Sequence, residues 1–184
     1  MTEFNLADYS GGLAALMTDS SHAPLDAGAP NHDAADGLAA LDLDAAFAPA
    51  TISDRRMAQA CHSGLWLLHN FLDESHVISQ DIDTITGSFW HGIMHRREGD
   101  FSNAKYWFRR VGGHPVYESL AAAAHAFASE SFPNESEWDP FDFVDRCEAA
   151  VRGRSADADT LGQVARLEWN LLFDFCFDAA IGQP

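Results

Sequence analysis

Apolar residues in this chain recur at helical spacing and nowhere alternate as a half-buried strand would, and that periodicity limits the fold more than any other feature. Met57, Cys61, Leu65, Leu68 and Leu72 follow one another at steps of three or four, which places them on one face of a helix. Ser53 is a suitable cap and Asp54 suits a first turn, so the spacing predicts one long helix from Asp54 to about Glu74. Ser88 is the candidate cap of a second helix, ended by Gly99 and Asp100 after Glu98. Ser102 heads a third, from Asn103 to Val111, stopped by Gly112 and Gly113. Pro115 fits the first turn of a fourth, which runs to Phe127. Asp139-Pro140 marks a fifth start, and a sixth helix begins near Asp159 and carries Leu161, Val164, Leu167, Leu171 and Phe175. The expectation is an all-α fold, a single irregular helical bundle of about six helices.

Residues 1–50 read differently. They hold eight acids and no Lys or Arg, are rich in Ala, Asp and Gly, and are broken by Pro24, Pro30 and Pro49. Large apolar residues are too few there to build a core, so residues 1–50 are expected to be an acidic flexible extension and residues 51–184 an all-α globular domain. The opening MTEFNLADYS has no basic stretch ahead of an apolar one, and runs such as Leu65–Leu68 are too short for a bilayer. Three cysteines, Cys61, Cys147 and Cys176, are scattered without metal-site spacing. A cytoplasmic chain with no membrane partner is the expectation.

The net charge of −17 argues against nucleic acid as a partner, because such a surface repels phosphate. One segment runs against this trend. Residues 88–115 carry five of the eleven Lys and Arg against two acids. Arg96 and Arg97 lie at one helix end, with Lys105, Arg109 and Arg110 on the next helix. Guanidinium forks grip carboxylate or phosphate in two places, so Arg96, Arg97, Lys105 and Arg109 are the candidate binding set for a small anionic molecule. Arg97 and Arg109 form the expected clamp. Trp90 and Tyr106 are candidate apolar walls.

The same stretch is rich in imidazole. His91, His95 and Glu98 fall at i, i+4 and i+7, on one helical face, and His69, Asp73 and His76 repeat that spacing on the preceding helix. Two such faces packed antiparallel bring His69, His76, His91, His95 and Glu98 together, a donor set suited to divalent iron, manganese or zinc. His91 and His95 are also the candidate catalytic residues, as acid–base groups near neutral pH or as metal ligands. The bland counterpart is that these side chains pair with one another and with Arg96 or Arg97.

The strings FLDESHVISQ and SFWHGIMHRREGDFSNAKYWFRRVGGHPVY resemble a family of uncharacterised bacterial and fungal proteins over about a quarter of the chain, roughly Asn70 to Tyr117. The resemblance implies that this block belongs together as a unit; it brings no activity, cofactor or catalytic residue with it. Two functional readings follow from the residues. One is a pocket lined by His and Arg that binds a small anionic metabolite, with an enzymatic role through a His/carboxylate metal or acid–base site. The other is a non-enzymatic helical scaffold or protein-interaction module.

Overall fold

Capping chemistry decides where the helices of this chain begin. In the computed structural model, which describes residues 5–17 and 20–183, the Asp54 side chain accepts from the backbone N–H groups of Arg56 and Met57. Thr84 does the same for Gly87, Asp100 for Asn103, and Asp139 for Phe141 and Asp142 with Pro140 at the first helical position. The resulting helices are α1 (Gly11–Ala14), α2 (His32–Ala39), α3 (Leu43–Phe47), α4 (Arg55–Leu68), α5 (Leu72–Gln80), α6 (Ile85–Glu98), α7 (Phe101–Val111), α8 (Val116–Ala128), α9 (Pro140–Val151) and α10 (Ala158–Ile181). No strand occurs among the described residues, so the fold is all-α, but ten helices replace the six expected.

One of the extra helices comes from a break. The expected helix from Asp54 to Glu74 stops at Leu68 because Asn70 takes a left-handed conformation, φ 65°, and closes a Schellman turn. Phe71 N–H bonds Trp66 carbonyl at 3.0 Å and Asn70 N–H bonds Leu67 carbonyl at 3.2 Å. Asparagine tolerates that backbone here because its amide is held on both sides: Nδ2 donates to Ala29 carbonyl, and Oδ1 accepts from Arg97. Elsewhere Thr84 starts α6 four residues before the expected start, and Asp100 rather than Ser102 caps α7.

The other three extra helices lie in residues 5–50, which pack against the rest instead of standing apart. Leu13, Leu38 and Phe47 are fully buried. Phe47 stacks on Phe177 of α10 at 5.4 Å, and Tyr9 meets Phe173 and Phe177 edge-on. Each buried large apolar side chain is worth roughly 1.5–3 kcal/mol, so a few well-placed ones offset part of the cost of ordering the short helices. Two histidines of α4 and its C-cap fasten the segment: His62 Nε2 bonds Leu38 carbonyl at 3.0 Å, and His69 bonds Leu16 carbonyl at 2.7 Å and the Asn31 amide at 3.0 Å.

Helix α10 runs through the centre, packed on α4, α8 and α9. Trp169 donates its indole N–H to Gly64 carbonyl at 2.9 Å, and Gly64 lets Trp90 lie against the α4 backbone, where a Cβ would sit 2.9 Å from the indole. Helix α6 is enclosed by α4, α5, α7 and α9, and every residue from Thr86 to Arg97 is buried. None of the described helices is long and apolar enough to cross a membrane.

The contact between Tyr9 and α10 carries a pH dependence. Tyr9 donates its hydroxyl to Asp174, whose pKa is pushed up to about 7 by burial and then by the nearby Asp178 and Asp8 carboxylates. In the unfolded chain the group titrates near about 4. Because the folded pKa is the higher one, the contribution is complete below about pH 4 and is lost as pH rises through 7. Asp174→Asn is expected to melt several degrees above the wild type at pH 8 and to lose that advantage at pH 4, as read by thermal denaturation.

Candidate metal centre

Two consecutive arginines near the end of a fully enclosed helix must find partners or destabilise it. Arg96, 2 % exposed, lays its guanidinium along the Glu168 carboxylate of α10, Nη1 donating to Oε1 at 3.2 Å and Nη2 to Oε2. The ring of Phe143 on α9 lies 4.6 Å from the same guanidinium. Burial opposes the charge of Arg96, yet Glu168 outweighs that and holds its pKa above the ordinary value. Arg97 turns the other way and donates to four oxygens: Asp26, Ala27 and Leu67 carbonyls and Asn70 Oδ1. Burial, and then the charge of Arg96, pull its pKa down to about 10. Both arginines therefore join elements of the fold. Arg109 and Arg97 do not form the expected clamp: Arg109 is exposed on α7, whereas Arg97 is buried.

The opposite side of α6 gathers imidazoles. His91 and His95, one helical turn apart, have ring centroids 4.6 Å apart, and His76 of α5 meets them edge-on at 4.6 and 5.2 Å. One ligand atom from each of the three lies within 4.8 Å of the other two. Trp107 of α7 covers His91 with its ring centre 4.0 Å away. The trio thus sits where α5, α6 and α7 converge, its inner members buried and His76 half-buried.

Hydrogen bonds hold both buried rings in place. The Ser79 hydroxyl lies 3.3 Å from His76 carbonyl and 3.0 Å from His91 Nδ1, which holds the His91 ring in place. Glu98 Oε1 accepts from His95 Nδ1 at 2.5 Å, and the Asn103 amide nitrogen lies 3.1 Å from Nε2 of the same ring. Burial, and then the proximity of His95 and His76, push His91 down to about 3. The neutral imidazole that burial favours suits a metal ligand.

The remaining expected residues scatter. His69 faces the N-terminal segment through Leu16 and Asn31, away from the trio, because the break at Asn70 separates it from α5. Glu98 touches His95 from outside the trio and also groups with His95 and the exposed Asp100. Lys105 pairs with Asp145 of α9 at 2.5 Å, Trp90 is core, and Tyr106 is nearly half exposed. His114 is structural: Nδ1 accepts from Val116 N–H, Nε2 bonds the Thr86 hydroxyl at 3.1 Å, and burial lowers its pKa to about 4. Sequence reading missed Ser79 and Glu168. Of these, Ser79 had a visible signal, one turn from His76 on the same helix. Compared with known protein families, curated proteins and solved structures, the chain matches none.

Removing one partner of a buried pair leaves an uncompensated charge, at about 3–5 kcal/mol, whereas removing both costs far less. Arg96→Met and Glu168→Leu are each expected to cost that much in urea denaturation, with the double variant well short of their sum. Additive losses would show that the two side chains act separately.

Proposed function

We propose that this protein binds one divalent metal ion of the zinc class through His76, His91 and His95. The observation that carries the reading is the convergence of three imidazoles from two helices, two of them buried and hydrogen-bonded to Ser79 and Glu98. Hydrogen bonds of this kind, from a ligand's second nitrogen to a carboxylate or hydroxyl, orient metal-binding histidines and raise their basicity. A set of three imidazole nitrogens suits zinc better than manganese, which prefers oxygen.

Three protein ligands leave a fourth position for water or substrate, the pattern of catalytic rather than structural zinc. Zinc held in this way brings the pKa of its water to about 7. On this reading His91 and His95 act as ligands, Ser79 and Glu98 as the groups that position them, and Trp107 as a cover that limits solvent. The scaffold reading rests on a different observation: Arg96 and Arg97 use their charge to join helices, so the positive segment is in large part internal bracing.

Calorimetric titration with zinc separates the two. One ion per chain is expected, with binding lost in His91→Ala and weakened about 10–100-fold in Ser79→Ala and Glu98→Gln. His69→Ala is expected to bind as the wild type does. Zinc binding that survives His91→Ala unchanged would end the metal reading.

A further inference from the structure

Helix α7 packs inward through Phe101, Ala104, Phe108 and Val111, and its opposite face is left to solvent. That face carries Tyr106, Arg109 and Arg110 at i, i+3 and i+4, so the three side chains stand together. All three are exposed, Tyr106 at 47 %. We infer that this face docks an acidic segment of another protein, its carboxylates held by Arg109 and Arg110 and an apolar side chain resting on Tyr106.

Pairing sets these two arginines apart. The chain has 28 acids against eleven Lys and Arg, and seven of the eleven lie within 4.0 Å of a carboxylate oxygen. Arg97 and Arg166 are buried and hydrogen-bonded within the fold. Arg109 and Arg110 alone are both exposed and, among the described residues, without a carboxylate at ion-pair distance. Arg110 is nonetheless held, its guanidinium 5.1 Å from the centre of the Trp107 ring. A fork that is positioned before its partner arrives loses less freedom on binding. Arginine and tyrosine are also among the residues that most often carry the binding energy of protein interfaces.

The face suits a peptide segment better than a nucleic acid or a small ion. Nucleic-acid affinity is a sum over many phosphate contacts, whereas this face offers two cations on a chain of net charge −17. One small anion on an exposed guanidinium stays largely hydrated and gains little. An acidic segment brings several carboxylates and covers Tyr106 as well, so its contacts add up. The negative charge of the rest of the chain is damped beyond about 8 Å at physiological salt, while a guanidinium–carboxylate fork acts at contact. This surface shares no ligand with the histidine trio, so either reading can fail without the other.

The probe is a dye-labelled peptide with several glutamates around a leucine, followed by fluorescence anisotropy at low ionic strength beside the same peptide with glutamine in place of glutamate. The wild-type chain is expected to bind the glutamate peptide along a saturating curve and the glutamine peptide about tenfold more weakly or less. Arg109→Glu combined with Arg110→Glu is expected to weaken binding of the glutamate peptide by about tenfold or more. Arg55→Glu combined with Arg56→Glu changes the net charge by the same amount elsewhere and is expected to leave binding within about twofold. The Trp107 indole N–H resonance of the wild type should move along the binding curve, while that of the buried Trp90 stays still. Equal loss in the two double variants, equal binding of the glutamine peptide, no saturation, or tighter binding of a single-stranded RNA oligomer would overturn the inference. Self-association seen by sedimentation and lost in the Arg109→Glu and Arg110→Glu double variant would overturn it too, by assigning the face to a second copy of this chain. The replaced side chains are exposed, so both double variants are expected to fold, and the indole resonance is read on the wild type in any case.

Discussion

The ion pair between Arg96 and Glu168 is the constraint on which the rest of this structure depends. It lies between two helices that are themselves enclosed, and both partners are almost fully buried. Such a pair contributes little net stability against an apolar replacement, yet it strongly disfavours any arrangement in which the partners separate. Its effect here is to fix α6 against α10. The neighbouring Arg97 completes the lock by gathering the end of α4, the turn at Asn70 and the carbonyls of Asp26 and Ala27 onto the same point.

With α6 held in this way on its arginine side, its other side is presented to α5 and α7 in a set orientation. His91 and His95 face inward because the helix cannot roll, and His76 reaches them because the break after α4 starts α5 afresh. Burial favours the neutral form of His91, and hydrogen bonds to Ser79 and Glu98 hold the His91 and His95 rings in place. The bracing and the candidate chemistry are therefore two faces of one helix. A segment that looks in sequence like a single dense motif divides into an arginine side that braces the fold and a side that carries the histidines.

Much of the fold was legible because helical class follows from spacing and capping, which are local. The start at Asp139-Pro140 and the pairing of His91 with His95 needed nothing beyond neighbouring residues. What was not legible depended on distant partners. Asn70 breaks a helix because Ala29 and Arg97 hold its amide, and no local pattern announces that. Residues 5–50 looked too poor in large side chains to fold, but Leu13, Leu38 and Phe47 needed only to fit against a core already present. The arginines looked like an anion clamp because their density was visible and Glu168, 72 residues from Arg96, was not. Charge patterns report how much charge there is; pairing decides what remains for a ligand.

X-ray absorption at the zinc edge of the zinc-loaded protein tests the central claim most directly, since it reads the atoms around the ion. The expected spectrum shows nitrogen or oxygen neighbours at about 2.0–2.1 Å with outer-shell scattering from three imidazole rings, falling to two in His76→Ala. Sulfur neighbours, or oxygen neighbours without imidazole scattering, would contradict it.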